Sequence, residues 1–396
     1  MTNAAKEIYT AAILNGQQEY MRVIARGERA ADLIRSEHES MKRAAEEGLR
    51  FPQLWEQTAV YIDTLFSAIE RWGEWSEWMI LLQKAKVVLT DKPRSLLRIL
   101  YWLGHIYYLH RNFEDALAML TNALTIAKQA DPPFIPLIQQ RLCNIYLSMG
   151  KCDAARSIGV DALTYCHQLE EADALAASIH DSVGLVAMQM GLYEEAVDHF
   201  KTAVSLWKQQ HLQTQQSRTE TNLGVAYFQL SQFDNAITHF KHALAHLEQL
   251  NSPVDRLKTI NNLASIYYMQ AAYKKAEKLL IKAIAEGRKL AGAYHLRGSL
   301  SHNLGNTLLA LERFGEAEVY LNSSLHLWHI ANDILEAANT HDTLGELFQA
   351  KQSFEKAIIH YKQAIAFAKE HLDNLQAQTL LQNCEREIEM CKAQLG

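Results

Sequence analysis

The chain has 396 residues, of which 48% are hydrophobic and 21% charged, and its formal net charge is −6 at pH 7. This composition is typical of a folded protein rich in helix formers, and the negative balance argues against nucleic acid or an anionic membrane as a partner. The five cysteines are odd in number and form no CxxC pair, so we expect buried, reduced thiols rather than disulfides or a four-cysteine zinc site.

Residues 1–50 are predicted to form an N-terminal helical cap. The segment from Met1 to Gly16 does not resemble a signal peptide, and no apolar window reaches the length of a membrane span, so a cytoplasmic protein is expected. Helix breaks are expected near Asn15–Gly16 and at Gly27, and Phe51–Pro52 marks the end of the cap. A DNA-binding helix-turn-helix is the alternative, although the segment lacks a short helix pair with a tight glycine turn.

A pattern of about forty residues repeats along the chain, and in each copy an alanine follows a small residue after twelve positions. The small residues are Gly104, Cys143, Gly184, Gly224, Ala264, Gly305 and Gly345. Their alanine partners are Ala116, Ala155, Ala196, Ala236, Ala276, Ala317 and Ala357. A period this regular predicts a solenoid built from one repeated supersecondary unit.

The copy at residues 221–244 shows why each unit is predicted to be a helical hairpin. Apolar residues, including Tyr227, recur at helical spacing, a polar break follows, and Ala236 and Phe240 resume the spacing. Gly224 and Ala236 are small because two antiparallel helices approach closely only where their crossing point carries little side chain.

These residues match a Leu-Gly-x2-Tyr and Ala-x3-Phe signature, and the chain therefore resembles the tetratricopeptide repeat family over residues 51–368. The forty-residue period is similar to that of kinesin light chain and of bacterial sensors, including Rap-type peptide receptors and the maltose-regulon activator. The first copy is degenerate, since Leu65-Phe66 and Trp78 occupy the places of Leu-Gly and alanine, and the two large rings are expected to splay its hairpin. The resemblance implies an all-α, right-handed superhelical solenoid of about eight hairpins with capping helices at both ends.

Residues 369–396 are predicted to form a C-terminal capping helix. Their apolar residues alternate spacings of four and three, which places them on one helical stripe: Ala377, Leu381, Cys384, Ile388, Cys391 and Leu395. Such a stripe covers the exposed face of the last hairpin. A dimer seam is the alternative, and the oligomeric state is not predicted.

The resemblance implies that the first helix of each hairpin lines a concave, peptide-binding groove. The candidate groove residues are Arg98, Tyr101, Trp102, His105, Arg141, Asn144, Arg218, Asn222, Lys258, Asn261, Asn262, Asn303 and Asn306. Asparagine recurs among them, and its carboxamide has the donors and the acceptor needed to pair with an extended peptide backbone. The segment 261–264 is similar to the Asn-Leu-Ala motif with which kinesin light chain holds cargo peptides. The alternative is that these amides bond between neighbouring helices of the solenoid.

The charges of the groove residues change sign along the chain. The basic residues Arg98, Arg141, Arg218 and Lys258 come first, and Asp342 and Glu346 lie toward the C-terminal end. A partner with an acidic segment would be attracted to the first part by Coulomb forces.

No catalytic motif or cofactor signature is found, so neither catalytic residues nor a cofactor is predicted. His239, His242 and His246 share a face of a second helix, and His199 and His360 take the place of His239 in their own copies. We expect solvated side chains there and no metal site, because no carboxylate partner can be assigned.

The sequence thus predicts a noncatalytic receptor or scaffold that captures an extended peptide segment of a protein partner. The alternative is a sensor whose superhelix responds to a small molecule or pheromone peptide and thereby controls a signalling or transcription partner.

Overall fold

The computed structural model describes residues 2–25, 30–69, 75–170, 172–250, 252–370 and 375–395, and every regular element in these ranges is helical. The first α-helices are α1 (Asn3–Ala25), α2 (Ala30–Leu49), α3 (Trp55–Ile69) and α4 (Trp75–Val88). The following helices are α5 (Pro93–Leu109), α6 (Phe113–Ala130), α7 (Ile135–Ser148), α8 (Cys152–Cys166), α9 (Asp173–Gln189) and α10 (Tyr193–Gln209). The last are α11 (Gln213–Gln229), α12 (Phe233–Gln249), α13 (Pro253–Met269), α14 (Tyr273–Gly287), α15 (Tyr294–Ala310), α16 (Phe314–Ala331), α17 (Ile334–Ala350), α18 (Phe354–Lys369) and α19 (Leu375–Leu395).

The chain forms two compact units, Met1–Leu206 and Trp207–Gly396, and their boundary falls inside α10. In the first unit, α5 packs against α6 and α7 against α8. In the second unit, α11 to α18 form four antiparallel pairs, and each pair stacks on the next. The prediction of an all-α array of stacked helical hairpins is confirmed.

The two helices of a hairpin meet where the sequence carries glycine and alanine. In the α11–α12 hairpin, Ala236 is fully buried, and a Cβ atom at Gly224 would lie only 2.5 Å from Cε1 of Phe240. The same relation links Gly184 to Phe200 in the α9–α10 hairpin. A small residue on one helix therefore makes room for a large ring on the other, as the repeated pattern predicts.

In each of the seven copies with a small crossing residue, the first helix is followed by a left-handed residue, seven positions after that small residue. The residues with positive φ at this place are Arg111, Gly150, Gly191, Ser231, Ala271, Glu312 and Gln352. The backbone N–H of the next residue donates back to a carbonyl of the last helical turn, as from Gln232 to Tyr227 at 2.9 Å. Two of the seven residues are glycines, so the turn forms with or without a side chain.

The N-terminal helices differ from the sequence-based expectation at one point. The break expected near Asn15–Gly16 is wrong, because α1 runs without interruption from Asn3 to Ala25. Gln17 fixes this helix to its neighbours, since its Nε2 donates to the carbonyl of Ala44 at 2.9 Å and to Oγ1 of Thr58 at 3.2 Å. Gly27 lies outside the described residues.

In the degenerate first copy, bulky rings take the place of the small crossing residues. Phe66 and Trp78 are buried and meet edge to face, with 5.4 Å between their centroids. Phe66 also contacts Trp102 of α5 at 5.3 Å, so these rings join the first copy to the next hairpin.

At the C-terminal end, α19 packs against α17 and α18 of the same chain. Its buried side chains lie on one stripe: Ala377, Leu380, Cys384, Ile388 and Cys391. Leu395, which the sequence places on this stripe, is 47% exposed. Among the described residues, no helix is both long and apolar enough to span a membrane.

Candidate functional site

The candidate residues of the first unit form a packed cluster on α5 and α7. The guanidinium of Arg98 pairs with Asp63 of α3, and the indole Nε1 of Trp102 donates to the other carboxylate oxygen of Asp63 at 2.8 Å. Arg141 donates through Nε to the hydroxyl of Tyr101 at 2.8 Å and lies over the Tyr101 ring. Both arginines are thus held by partners of the same unit.

Burial separates these residues into two groups. Tyr101, Trp102 and His105 are only 2%, 5% and 3% exposed, so they offer little surface to a ligand. Arg141 and Asn144 on α7 are half-buried and keep accessible atoms.

In the second unit, the candidate residues lie on the surface formed by the first helices α11, α13, α15 and α17, which we call the first-helix face. Between the N-terminal halves of α13 and α15 is a recess of about 480 Å³, here named the lysine recess. Its lining residues are Val254, Lys258, Asn261, Asn262, Gly292, Ala293, His295, Leu296 and Ser299. Lys258 is exposed at this recess.

A second recess, here named the amide recess, lies between the C-terminal halves of the same two helices and measures about 270 Å³. Its lining residues are Phe228, Ala264, Ser265, Tyr268, Met269, Leu280, Asn303, Asn306 and Thr307. The wall is mostly apolar, and polar groups converge from Asn303, Asn306 and Ser265.

Asn303 bridges two first helices. Its Nδ2 donates to Oδ1 of Asn261 on α13 at 2.9 Å and lies 3.4 Å from Oγ of Ser265. At Asn303 the observed contact therefore matches the alternative interpretation of the sequence, in which these amides bond between neighbouring helices. Asn222 and Asn262 are half-buried on the same face.

Asn306 has a different arrangement, because one side of its amide is held and the other is not. Its Nδ2 contacts Nε2 of His302 at 3.1 Å, whereas its Oδ1 is buried and has no hydrogen-bond partner among the described residues. A buried carbonyl oxygen without a donor is costly, and it is the kind of atom that a ligand N–H satisfies.

A chain of hydrogen bonds fixes the orientation of the Asn306 amide. The hydroxyl of Thr340 donates to the carbonyl of Glu336, so its oxygen accepts from Nδ1 of His302 at 3.0 Å. Nε2 of His302 is then the acceptor for Asn306, and Oδ1 is the amide atom left for another donor. Burial lowers the pKa of His302 to about 4, which keeps the imidazole neutral near pH 7.

One basic residue of this face, Arg218, is less available than the sequence suggests. Nε of Arg218 donates to Oδ2 of Asp255 at 2.9 Å, although 58% of the Arg218 side chain is exposed. A ligand carboxylate would compete with Asp255 for this guanidinium. The partner lies 37 residues further along, close to one repeat period, which is the sequence signal that could have revealed the pair.

The acidic end of the face is formed by Asp342 and Glu346 on α17 with Glu387 on α19. Glu346 retains more than a third of its accessible surface, yet crowding by protein atoms withdraws its carboxyl from bulk water. This desolvation, together with Asp342 and Glu387, raises the pKa of Glu346 to about 7. The group therefore titrates near neutral pH.

Three hairpins carry a polar pair between their helices at a constant spacing of 19 residues. His180 meets His199 with their Nδ1 atoms 2.9 Å apart, His341 meets His360 at 3.1 Å, and Nδ1 of His239 donates to Glu220 at 2.6 Å. The expectation of solvated histidines on the second helices is wrong for His199, His239 and His360, because all three are half-buried between helices. The repeated spacing was the sequence signal for these pairs.

The chain is similar to known repeat proteins in sequence pattern and in fold. The family model of the tetratricopeptide repeat matches residues 175–249, 255–329 and 299–370. A Rap protein solved in complex with competence and sporulation factor is 16% identical with a TM-score of 0.62, covering 91% of this chain and 98% of that chain. Aspartyl phosphate phosphatase F from Bacillus subtilis is 15% identical with a TM-score of 0.59, covering 93% and 95%.

A tetratricopeptide repeat protein from Parabacteroides merdae is 16% identical with a TM-score of 0.52, covering 73% of this chain and 98% of that chain. At these identities the similarity concerns the fold alone. No curated protein sequence matches the chain. The family match and the repeated crossing geometry identify the hairpins between residues 175 and 370 as tetratricopeptide repeats, a fold that typically serves as a noncatalytic scaffold for protein interactions.

Proposed function

We propose that this chain is a noncatalytic receptor that captures an extended peptide segment of a protein partner on its first-helix face. The observation that carries the proposal is the amide recess with the buried, unpartnered Oδ1 of Asn306. A backbone N–H of an extended peptide is the donor that suits this oxygen.

The apolar wall of the amide recess suits one side chain of such a peptide. Phe228 and Tyr268 are half-buried there, and Met269 is 61% exposed at the rim. A side chain that fills the recess would bury apolar surface, while the backbone hydrogen bond to Asn306 would fix its position. Affinity and orientation would thus come from different groups.

The neighbouring lysine recess extends the proposed contact toward the N-terminal ends of the helices. Lys258 is exposed beside Asn261 and Asn262, so a carboxylate of the partner would find a cation and two amides together. Arg218 would join them by exchanging Asp255 for the ligand. An acidic peptide segment is therefore the proposed ligand.

For the first unit by itself, we propose peptide contacts from side chains that keep accessible atoms, namely Arg98, Arg141 and Asn144. Tyr101, Trp102 and His105 are assigned a supporting role, since they are buried.

A cytoplasmic location belongs to the same proposal, because five cysteines without disulfides suit a reducing compartment.

A second candidate function is that of a sensor whose bound ligand changes its affinity for an output protein. The favouring observation is the similarity over 91% of this chain to a Rap protein whose structure contains competence and sporulation factor. The two candidates differ in a measurable way: a sensor changes its conformation on ligand binding, which small-angle scattering detects, whereas a tether does not.

The test begins with selection of short unstructured peptides against the whole chain from a displayed library. The recovered peptide is then titrated calorimetrically against wild type and the N303A/N306A double variant. The hydrogen bond from the peptide to Asn306 is worth about 0.5–1.5 kcal/mol, so its loss in the double variant should weaken affinity by at least about 2- to 13-fold.

The matched control is Asn322→Ala, which removes an exposed asparagine from the second helix α16. Its affinity for the peptide should equal that of wild type, and circular dichroism should show all three proteins folded. Equal affinity of wild type and of a folded N303A/N306A variant would refute binding at the amide recess.

A further inference from the structure

One hairpin of the second unit brings three metal-ligating side chains together. Glu220 of α11 and His239 and His242 of α12 each have a ligand atom within 4.8 Å of those of the other two. Across the described ranges, this is the one group of three His, Cys, Asp or Glu residues that meets this distance. The group lies outside both recesses of the first-helix face.

Two of the three side chains are already held in place. Glu220 is 5% exposed, and its Oε2 lies 2.6 Å from Nδ1 of His239. The His239 ring stacks on Tyr227, with 5.3 Å between centroids and 10° between planes. These contacts hold the imidazole plane in place. Metal binding through Nδ1 would release its proton to solvent and replace the hydrogen bond to Glu220 with two metal–ligand bonds.

The third side chain, His242, distinguishes this hairpin from its neighbours. An ion pair or hydrogen bond explains why Glu220 and His239 lie together, but it does not require His242. The His242 ring stands edge-on to the His239 ring, with 6.1 Å between their centroids. In the hairpins of His199 and His360, the position three residues further along is Thr202 and Gln363. Those pairs therefore lack a third histidine or carboxylate metal ligand at this position.

We propose that Glu220, His239 and His242 form a binding site for a divalent transition-metal ion of the zinc class. Two imidazole nitrogens and one carboxylate oxygen form a ligand set that Zn²⁺ accepts at about 2.0–2.2 Å. Nitrogen ligands disfavour Mg²⁺ and Ca²⁺, and the absence of a thiolate from the group disfavours the softest metals. His242 is exposed, so it can rotate toward the other two.

The bound ion would connect the two helices of this hairpin. Three protein ligands leave one tetrahedral position for water or for a group of another molecule. Because the ligands come from α11 and α12, metal binding would stabilise the folded hairpin over the unfolded chain.

The test is calorimetric titration of the whole metal-free chain with Zn²⁺ near neutral pH. His242→Ala is the informative variant, because an exposed residue is removed while the Glu220–His239 contact stays. Loss of a second-shell partner already costs about 10–100-fold in metal affinity, so loss of this ligand should weaken zinc binding by more than about 100-fold. Zinc should raise the melting temperature of wild type and not that of H242A.

His246→Ala is the matched control, since it removes another histidine of α12 that lies outside the group. This variant should bind zinc as wild type does. Glu220→Gln provides a second variant, which keeps a hydrogen-bonding side chain and should also lose the zinc site while circular dichroism shows an intact fold. Zinc affinity of H242A or of folded E220Q equal to that of wild type would overturn the proposal.

Discussion

His341 and His360 face each other across the α17–α18 hairpin with 3.1 Å between their Nδ1 atoms. In such a contact one imidazole donates its N–H and the other accepts through an unprotonated Nδ1, so the accepting ring is neutral. Burial, together with the neighbouring imidazole, lowers the pKa of His341 to about 4, and burial lowers the pKa of His360 as well. His180 in its pair likewise has a pKa lowered to about 4.

These pairs predict a loss of stability on acidification. In the unfolded chain a histidine titrates near pH 6.5, so between about pH 6.5 and pH 4 the unfolded state binds more protons than the native state. The neutral histidine pairs therefore contribute fully to the free energy of unfolding above pH 6.5, and this contribution is lost as the pH falls toward 4. From pH 7 to pH 5, His341 alone should cost about 2 kcal/mol of unfolding free energy.

The measurement is urea unfolding of wild type and of the H341I/H360L variant at pH 7 and pH 5. The variant copies Ile260 and Leu279, which occupy the same two places in the α13–α14 hairpin. Its stability should change less with pH than that of wild type. An identical pH dependence of the two proteins would show that this histidine pair does not couple protonation to folding.

The contact between Gly224 and Phe240 leads to a prediction about the hairpin crossing. Gly224→Ala places a methyl group against the buried Phe240 ring, and overpacking of this kind costs about 1–3 kcal/mol, more than the roughly 1 kcal/mol that alanine gains in helix propensity. Phe240→Leu should relieve the clash, because Ala264 faces Leu280 at the same places in the α13–α14 hairpin.

A double-mutant cycle of G224A and F240L, followed by urea unfolding, measures this coupling. Gly16→Ala is the control, since a Cβ atom at Gly16 in α1 would meet no atom within 4 Å. That change should be neutral or stabilising. Strictly additive effects of G224A and F240L would mean that the two residues do not compete for the same space.

The packing of α19 predicts the result of a C-terminal truncation. Removal of residues 371–396 would uncover the faces of α17 and α18 that now contact Leu380, Cys384 and Ile388. The shortened chain should aggregate or melt at a lower temperature, which size-exclusion chromatography with light scattering detects.

Removal of residues 392–396 alone is the control, because it begins after the last buried side chain, Cys391. This shorter deletion should behave as wild type. A full-length dimer that becomes a well-behaved monomer on removal of residues 371–396 would instead support the dimer seam that the sequence left as an alternative.

The hairpin fold was predictable because its determinants repeat in the sequence. Gly224 and Phe240 recur as a small and a large residue in most copies, so one rule of close packing accounts for those hairpins. The break expected near Asn15–Gly16 failed because glycine within a long helix costs only about 1 kcal/mol, which packing of α1 offsets.

The candidate site was less predictable, because the partner of a polar side chain depends on distances between helices. The sequence identified Asn261 and Asn303 as polar residues of the first helices, but not that they would bond to each other. It gave no reason to separate Asn303 from Asn306, whose carbonyl oxygen has no hydrogen-bond donor within the described part of the chain, while His302 holds the other end of the amide. The histidine spacing within α12 does not indicate Glu220, because its contact with His239 depends on the 19-residue spacing between the two helices of the hairpin.

The left-handed turns have a consequence for how such a chain can change. Backbone bonds like that from Ala272 to Tyr267 hold each turn in shape, whether its left-handed residue is Gly191, Ala271 or Glu312. A side chain in this conformation costs about 1–2 kcal/mol, which is small beside the packing of a whole hairpin. Mutation can therefore vary the chemistry of every turn, one repeat at a time, and give the turns new binding specificities while the helices they join keep their structure.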